Sequence, residues 1–251
     1  MAQLKDKIAI VTGGAGGFGE GIVRAYVAEG AKVVVADLNG DAAARLAREL
    51  GAQAAPFACD VSNQASVQAL AAFCVKTFGV PEITVNNAGT THKNQPMLGV
   101  DEATFDRVFA VNVKSIYFMT QAVLPLLRER ARGGVILNVG STAGIRPRPG
   151  LSWYNASKGA VNLLSKSMAV ELGPEKIRVN AICPVMGVTG LFELFMGLPD
   201  TPENRARFMA TIPMGRFCEP RDVAAAAVFL ASDAAEFLTG IEFPVDGGRT
   251  I

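Results

Sequence analysis

The sequence predicts an α/β fold, a doubly wound sheet of about seven parallel strands with helices on both faces. Three observations predict it. Short apolar, β-branched runs alternate with longer segments of helical period. Successive residues in those runs are apolar, so both faces of each strand are covered, as in a parallel sheet. A glycine cluster directly follows the first run and opens a helix. A (β/α)8 barrel fits less well, because it needs an eighth unit and leaves those glycines unexplained.

The expected strands are Ile8–Val11, Lys32–Ala36, Ala54–Ala58, Ile83–Asn86, Val135–Val139, Val179–Ile182 and Ile241–Val245. Helices are expected to begin near Gly17, Asp41, Gln64, Thr104, Ser152 and Arg221. Residues 1–251 read as one domain of this kind. Only Met186 to Met214 breaks the rhythm. It holds Phe192, Leu194, Phe195 and Met196, then Pro199, Asp200 and Pro202. It reads as an inserted helical lid, since insertions of that length usually serve function.

Half of the 251 residues are hydrophobic, and the formal net charge is +1. Such a balance gives no field that would attract nucleic acid or an anionic membrane. The apolar stretch Val223 to Ala231 is too short to span a bilayer. Met1 to Lys7 lacks the apolar core of a signal peptide. The expected location is therefore the cytoplasm. Cys59, Cys74, Cys183 and Cys218 are widely spaced and read as reduced, buried thiols. His92 is the only histidine, so no metal site is expected.

The glycine cluster runs Thr12-Gly13-Gly14-Ala15-Gly16-Gly17-Phe18-Gly19. A pyrophosphate must come close to backbone N–H groups at a helix N-terminus, and a Cβ would block it. Two registers are open. Gly14, Gly16 and Gly19 give G-x-G-x-x-G; Thr12, Gly13, Gly17 and Gly19 give T-G-x-x-x-G-x-G. Asp37 ends the second strand about twenty residues on, where a carboxylate can accept both adenosine ribose hydroxyls. Leu38, Asn39 and Gly40 follow it, none of them basic, which favours NAD over NADP.

Tyr154 and Lys158 lie four apart near the start of a helix and so share a face. Free tyrosine has a pKa near 10, and an adjacent cation would lower it by about 1–3. Ser141 follows the fifth strand, at the carboxyl end of the sheet where ligands bind in this architecture.

Taken together these features resemble the short-chain dehydrogenase/reductase family, in its compact single-domain branch. The resemblance runs from Lys7 to Gly248. It rests on Thr12-Gly13-x-x-x-Gly17-x-Gly19, Asp60-Val61, Asn86-Asn87-Ala88-Gly89, Asn112, Ser141, Tyr154-x-x-x-Lys158, Asn180 with Pro184, and Val245-Asp246-Gly247-Gly248. It implies a Rossmann-type fold, NAD as cofactor, and hydride transfer between the nicotinamide and a secondary alcohol or ketone. Asn112, Ser141, Tyr154 and Lys158 look like the catalytic tetrad. Tyr154 would move the proton, Ser141 would orient the oxygen, Lys158 would hold the nicotinamide ribose, and Asn112 would support a relay water. Gly13, Gly17, Phe18 and Gly19 would meet the cofactor phosphates, Asp37 and Leu38 the ribose. Asp60 and Val61 would flank the adenine, and Asn87, Ala88 and Gly89 the ribose side. Pro184, Gly187, Val188 and Thr189 would meet its nicotinamide end. The family's enoyl reductases space their Tyr and Lys by six residues; Val161 stands at that position here. The family usually has Gly at the place of Val185 and Val at the place of Gly187, and this chain exchanges them. Tetramers are common in the family.

By spacing, Ala143 and Leu151 should face the substrate, with Thr91 near the mouth. With the lid's Phe192, Phe195 and Met196 they suggest an apolar pocket for a cyclic, aromatic or medium-chain substrate. Arg146 and Arg148 could bind a carboxylate or phosphate at the rim, but alternating with prolines they read first as a solvated loop; His92 reads as a rim residue. The alternatives are a 3-oxoacyl-thioester reductase and a sugar or polyol dehydrogenase.

Overall fold

The computed structural model describes residues 2–187, 190 and 192–251. The strands are β1 (Ile8–Thr12), β2 (Lys32–Asp37), β3 (Ala54–Ala58), β4 (Ile83–Asn86), β5 (Gly134–Val139), β6 (Ile177–Pro184) and β7 (Glu242–Val245). They form a 7-stranded sheet in the order β3-β2-β1-β4-β5-β6-β7, with every pairing parallel. β6 is longer than its apolar run suggests, because Ile177 pairs with Gly134 and Pro184 with Val245. β7 starts one residue later than expected, and Ile241 N instead donates to the Asn180 side chain at 3.0 Å.

The helices are α1 (Gly17–Ala28), α2 (Gly40–Leu50), α3 (Gln64–Thr77), α4 (Glu102–Phe109), α5 (Ser115–Arg130), α6 (Ser152–Leu172), α7 (Phe192–Met196), α8 (Pro202–Met209) and α9 (Pro220–Ala231). Their starts carry the side chains that helix N-termini need. Asn39, Asn63, Asp101 and Thr201 accept from Ala42, Ser66, Thr104 and Asn204. The helix expected from Thr104 begins at Glu102 and is interrupted. Ala110–Lys114 forms a π-helical turn between α4 and α5.

Alternation along β1 explains the layers. Ala9 and Val11 pack with Ile22, Val23 and Tyr26 of α1 and Val223 and Ala227 of α9. Ile10, between them, packs with Val67, Leu70 and Cys74 of α3 and Phe118 and Met119 of α5. Successive strand residues point to opposite faces, so both must be apolar when both are covered. A third cluster joins α5 and α6 to Ile136 and Val179.

The sheet order reverses between β1 and β4, whose carboxyl ends open a crevice of the kind that binds ligands. A buried polar chain sets α6 beside it. Asn86 Nδ2 donates to Asn138 Oδ1 at 2.8 Å, and Asn138 Nδ2 donates to Ser165 Oγ at 2.9 Å. Such satisfied networks fix one arrangement of the elements they join. Among the described residues no helix is long and apolar enough to cross a membrane.

Candidate active site

The crevice holds a cavity of about 320 Å³. Gly13, Gly16, Gly17 and Phe18 line one part of it, Asn87 to Thr90 another, and Ser141, Ala143, Leu151, Tyr154, Lys158, Pro184 and Gly187 a third. Val188 and Thr189 lie outside the described residues.

The glycine loop is clamped from behind. Thr12 Oγ1 accepts from Asn87 N and Ala88 N, both at 3.1 Å, and Asn87 Nδ2 donates to Thr12 O at 2.9 Å. Gly13 and Gly17 have φ of 59° and 52°, a region that penalises any side chain. A Cβ on Gly19 would run into the Gly13 carbonyl oxygen. Gly19 belongs to both registers, and a Cβ on Gly14 would lie 2.9 Å from Val11 O, but the positive-φ positions Gly13 and Gly17 occur only in T-G-x-x-x-G-x-G. The Gly16 Cβ position, by contrast, meets nothing within 4 Å. It precedes a helix N-terminus with no side-chain cap, the setting that suits a phosphate.

Asp37 ends β2. Its Oδ2 accepts from Ala15 N at 3.0 Å and its Oδ1 from Asn39 N at 2.9 Å. Each carboxylate oxygen keeps a further lone pair for a ligand hydroxyl. Leu38 beside it is exposed. Asp60 Oδ1 accepts from Ser62 Oγ at 2.6 Å, and Val61 packs in the α3 cluster.

Ser141 follows β5 and begins a single tight turn, its Oγ accepting from Ala143 N at 3.0 Å. Tyr154 and Lys158 lie one turn apart on α6, both buried. Lys158 Nζ donates to Val139 O at 2.7 Å. The Tyr154 ring meets Phe195 edge-on, centroids 5.0 Å apart. Asn112 sits in the π-helical turn. Its Nδ2 donates to Thr90 O at 2.9 Å and Ser157 Oγ at 3.0 Å, and its Oδ1 accepts from Thr90 N at 2.8 Å. A Cβ on Gly89 would lie 3.5 Å from both Asn112 Oδ1 and Lys158 Nζ. Ser141, Tyr154 and Lys158 of the expected tetrad therefore line one end of the cavity, while Asn112 lies buried behind it, bonded to Thr90 and Ser157.

The expected lowering of the phenol does not appear. Burial pushes Tyr154 up to about 12, with the Ser141 hydroxyl pulling back. Burial also brings Lys158 down to about 8. Desolvation disfavours both charged forms, and it is the largest influence on each.

Three further expectations are corrected. Thr91 is buried, donating to His92 O at 3.0 Å, and Thr90 faces the cavity in its place. His92 is not a rim residue. It is buried, Nδ1 lies 2.9 Å from Lys93 O, and Nε2 accepts from Tyr154 N at 3.4 Å. With an N–H on Nδ1 it satisfies one orphan donor at the start of α6. Arg146 and Arg148 are not simply solvated, for both line the cavity. Sequence reasoning missed Arg249, Phe208, Thr211 and Ile212, which also line it. No local pattern marks them, since they meet the site only through the fold.

The Val185–Gly187 exchange has a steric reason. A Cβ on Gly187 would lie 2.6 Å from both Cys218 O and the Phe18 ring. Val185 instead packs its half-buried side chain against the core. Gly187 is needed for close approach and not for unusual backbone angles.

A family model described as Enoyl-(Acyl carrier protein) reductase matches residues 13–250. The chain is 50% identical over 252 residues to 4-formylbenzenesulfonate dehydrogenase TsaC1/TsaC2 of Comamonas testosteroni, covering 99% of this chain and 100% of that protein. It is 40% identical over 252 residues to D-threitol dehydrogenase of Mycolicibacterium smegmatis, covering 99% and 95%. The solved structure of 3-ketoacyl-(acyl-carrier-protein) reductase from Brucella melitensis complexed with NADH superposes with a TM-score of 0.93 at 44% identity, covering 99% of this chain and 100% of that one. The enoyl reductase description does not match the Tyr–Lys spacing. Val161, where such an enzyme would carry its Lys, packs into the α5–α6 cluster away from the cavity. With relatives of this identity along nearly its whole length, the chain belongs to the short-chain dehydrogenase/reductase family and is an oxidoreductase.

Proposed function

We propose that the protein transfers a hydride between NAD(H) and an alcohol or carbonyl compound, with Tyr154 as the proton-transfer group. The observation that carries this is that Ser141, Tyr154 and Lys158 line one cavity with the glycine cradle, with Asn112 behind them bonded to Thr90 of the lining. Gly13, Gly16, Gly17 and Phe18 fit the phosphates of a dinucleotide, and Asp37 fits its adenosine ribose. A nicotinamide held there supplies or takes the hydride. Ser141 holds the substrate oxygen. Tyr154 gives that oxygen a proton in reduction and removes it in oxidation. Lys158 is anchored by Val139 O and steadies the ribose side, while Asn112 holds the Thr90 backbone and the Ser157 hydroxyl in place for proton relay.

Ala143, Leu151 and Phe195 give the substrate end an apolar wall. That wall suits a cyclic or aromatic compound, in line with the benzenesulfonate named for one relative. α7 and α8, which carry the lining residues Phe195 and Phe208, serve as a lid within a single NAD-binding domain. The four free, buried thiols suit a reducing compartment such as the cytoplasm. Exposed Tyr117, Leu163 and Val170 on α5 and α6 offer apolar surface for a homotetramer.

A second reading, 3-oxoacyl-thioester reductase, is favoured by the Brucella melitensis structure. That protein is complexed with NADH, so a carboxylate such as Asp37 that favours NAD is compatible with this reading. Oxidation of NADH with acetophenone and with an acetoacetyl thioester separates the two readings. Tyr154→Phe should lower kcat about 10²–10⁴-fold with either, while NADH still binds. Full activity in Tyr154→Phe would sink the mechanism.

A further inference from the structure

The mouth of the cavity carries three arginines that the proposed reaction does not use. Arg146 and Arg148 stand on the loop between β5 and α6, and Arg249 on the tail beyond β7. They come from positions about a hundred residues apart, yet the fold ties them together. Arg146 Nη1 donates to Arg249 O at 2.8 Å. Asp246 shapes the tail, accepting from Gly248 N at 2.9 Å and Thr250 N at 2.8 Å. Arg148 lies over the Phe208 ring of α8, 4.4 Å from its centroid. The segment holding α7 and α8 thus meets both Arg148, through Phe208, and Tyr154, through Phe195. This places the arginines on the substrate side and not on the glycine-loop side.

Among the described residues none of the three forms an ion pair. Other arginines of the chain do: Arg24, Arg128, Arg205 and Arg216 each hold a carboxylate. Burial and the neighbouring Arg249 bring Arg148 down to about 10. Burial and Arg146 lower Arg249, and Asp246 offsets part of this. Like charges beside an apolar cavity repel, and the half-buried Arg148 is poorly hydrated, whereas Arg146 is exposed; a bound anion relieves both costs. The guanidinium fork matches a carboxylate or sulfonate with paired hydrogen bonds.

Resting on the oxidoreductase reading above, we propose that Arg146, Arg148 and Arg249 form an anion-recognition site at the far end of the substrate cavity. The substrate is then an aromatic carbonyl compound or alcohol that carries a carboxylate or sulfonate away from its reacting carbon. The apolar wall takes the ring, Ser141 and Tyr154 take the oxygen, and the arginines take the acid group.

The test measures kcat/KM with NADH for acetophenone and for 4-acetylbenzoate. It uses the wild type, R148Q, R148K, the double variant R146Q/R249Q, and R132Q as a charge control on an exposed turn outside the cavity. The wild type should prefer the acid by roughly 10- to 100-fold, the worth of one or two charged hydrogen bonds. R148Q and R146Q/R249Q should collapse that ratio towards one, mainly through KM. R148K should keep part of it, and R132Q all of it. Added salt should erode the preference. A wild type that treats both ketones alike overturns the proposal and leaves the oxidoreductase reading standing. So does a preference that survives in the double variant. If neither ketone reacts, the aryl-ketone reading fails, and calorimetric titration of the NADH-loaded protein with benzoate and benzenesulfonate decides the anion site. Saturable binding lost in R146Q/R249Q supports it, and no binding overturns it.

Discussion

Asp37 holds the glycine loop: its Oδ2 accepts from Ala15 N at 3.0 Å, across the gap between β1 and β2. One carboxylate therefore braces the glycine loop and, on the cofactor binding proposed above, would also present negative charge to the ribose. The two roles separate by substitution. Asp37→Asn keeps an acceptor for Ala15 N but loses the charge, and Asp37→Ala loses both. The kcat/KM ratio of NAD⁺ over NADP⁺ should fall roughly 10- to 100-fold in Asp37→Ala. Asp37→Asn should give a smaller fall and a higher melting temperature than Asp37→Ala. An unchanged cofactor ratio in both variants would show that another residue selects the cofactor.

Lys158 carries a linked prediction in pH. Its folded pKa of about 8 lies below its ordinary 10.5. Between those values the unfolded chain holds a proton that the folded chain has lost, so stability rises with pH across that window. Below pH 8 both states are protonated, and the cost of burying the cation is fully present. Lys158→Met should therefore be more stable than the wild type near neutral pH, by roughly 2 kcal/mol, since about 3 kcal/mol of burial cost is relieved and about 1 kcal/mol is lost with the bond to Val139 O. The difference should shrink as pH rises towards 10.5. Tyr154 contributes oppositely. Its folded pKa of about 12 exceeds its ordinary 10.0, so its contribution is lost as pH climbs from 10 to 12. Denaturant melts of both proteins across this range check the sign, and a gap that stays constant from pH 7 to 10.5 would refute it.

Gly187 is a packing requirement. A valine there must displace the Phe18 ring or the Cys218 carbonyl, each 2.6 Å from its Cβ. Overpacking of this kind costs about 1–3 kcal/mol. Gly187→Val should lower the melting temperature and weaken NADH binding, because Phe18 lines the same cavity. Gly187→Ala should do both to a smaller degree. Thermal melts with and without NADH report the two effects, and a valine variant as stable as the wild type would show that the turn can move aside.

What could be read in advance was local. The strands were legible because both-face burial leaves apolar runs such as Val33–Ala36. Tyr154 and Lys158 were legible because one helix turn joins them. The direction of their titration was not, since burial depends on Phe195, Val139 and other elements distant in sequence. Arg249 was invisible for the same reason, meeting Arg146 only after the sheet is complete. The π-helical turn at Ala110–Lys114 was invisible because its apolar pattern continues that of the flanking helices.

That turn makes the last prediction. Asn112 closes both backbone groups of Thr90 and also donates to Ser157 Oγ, so one buried side chain joins the end of β4 to α6. Removing it leaves Thr90 N–H and C=O without partners, at about 1–3 kcal/mol for each group that water cannot reach. Asn112→Ala should lose roughly 2–4 kcal/mol of stability. Asn112→Asp keeps the acceptor for Thr90 N but faces Thr90 O with another acceptor, and should lose a comparable amount. If Asn112 only braces the fold, any activity lost by the alanine variant should return on cooling to where it is fully folded. If it also places Thr90 and Lys158 for proton relay, kcat stays low there while the KM for NADH is little changed. Steady-state kinetics at two temperatures, beside a melt, separates these outcomes.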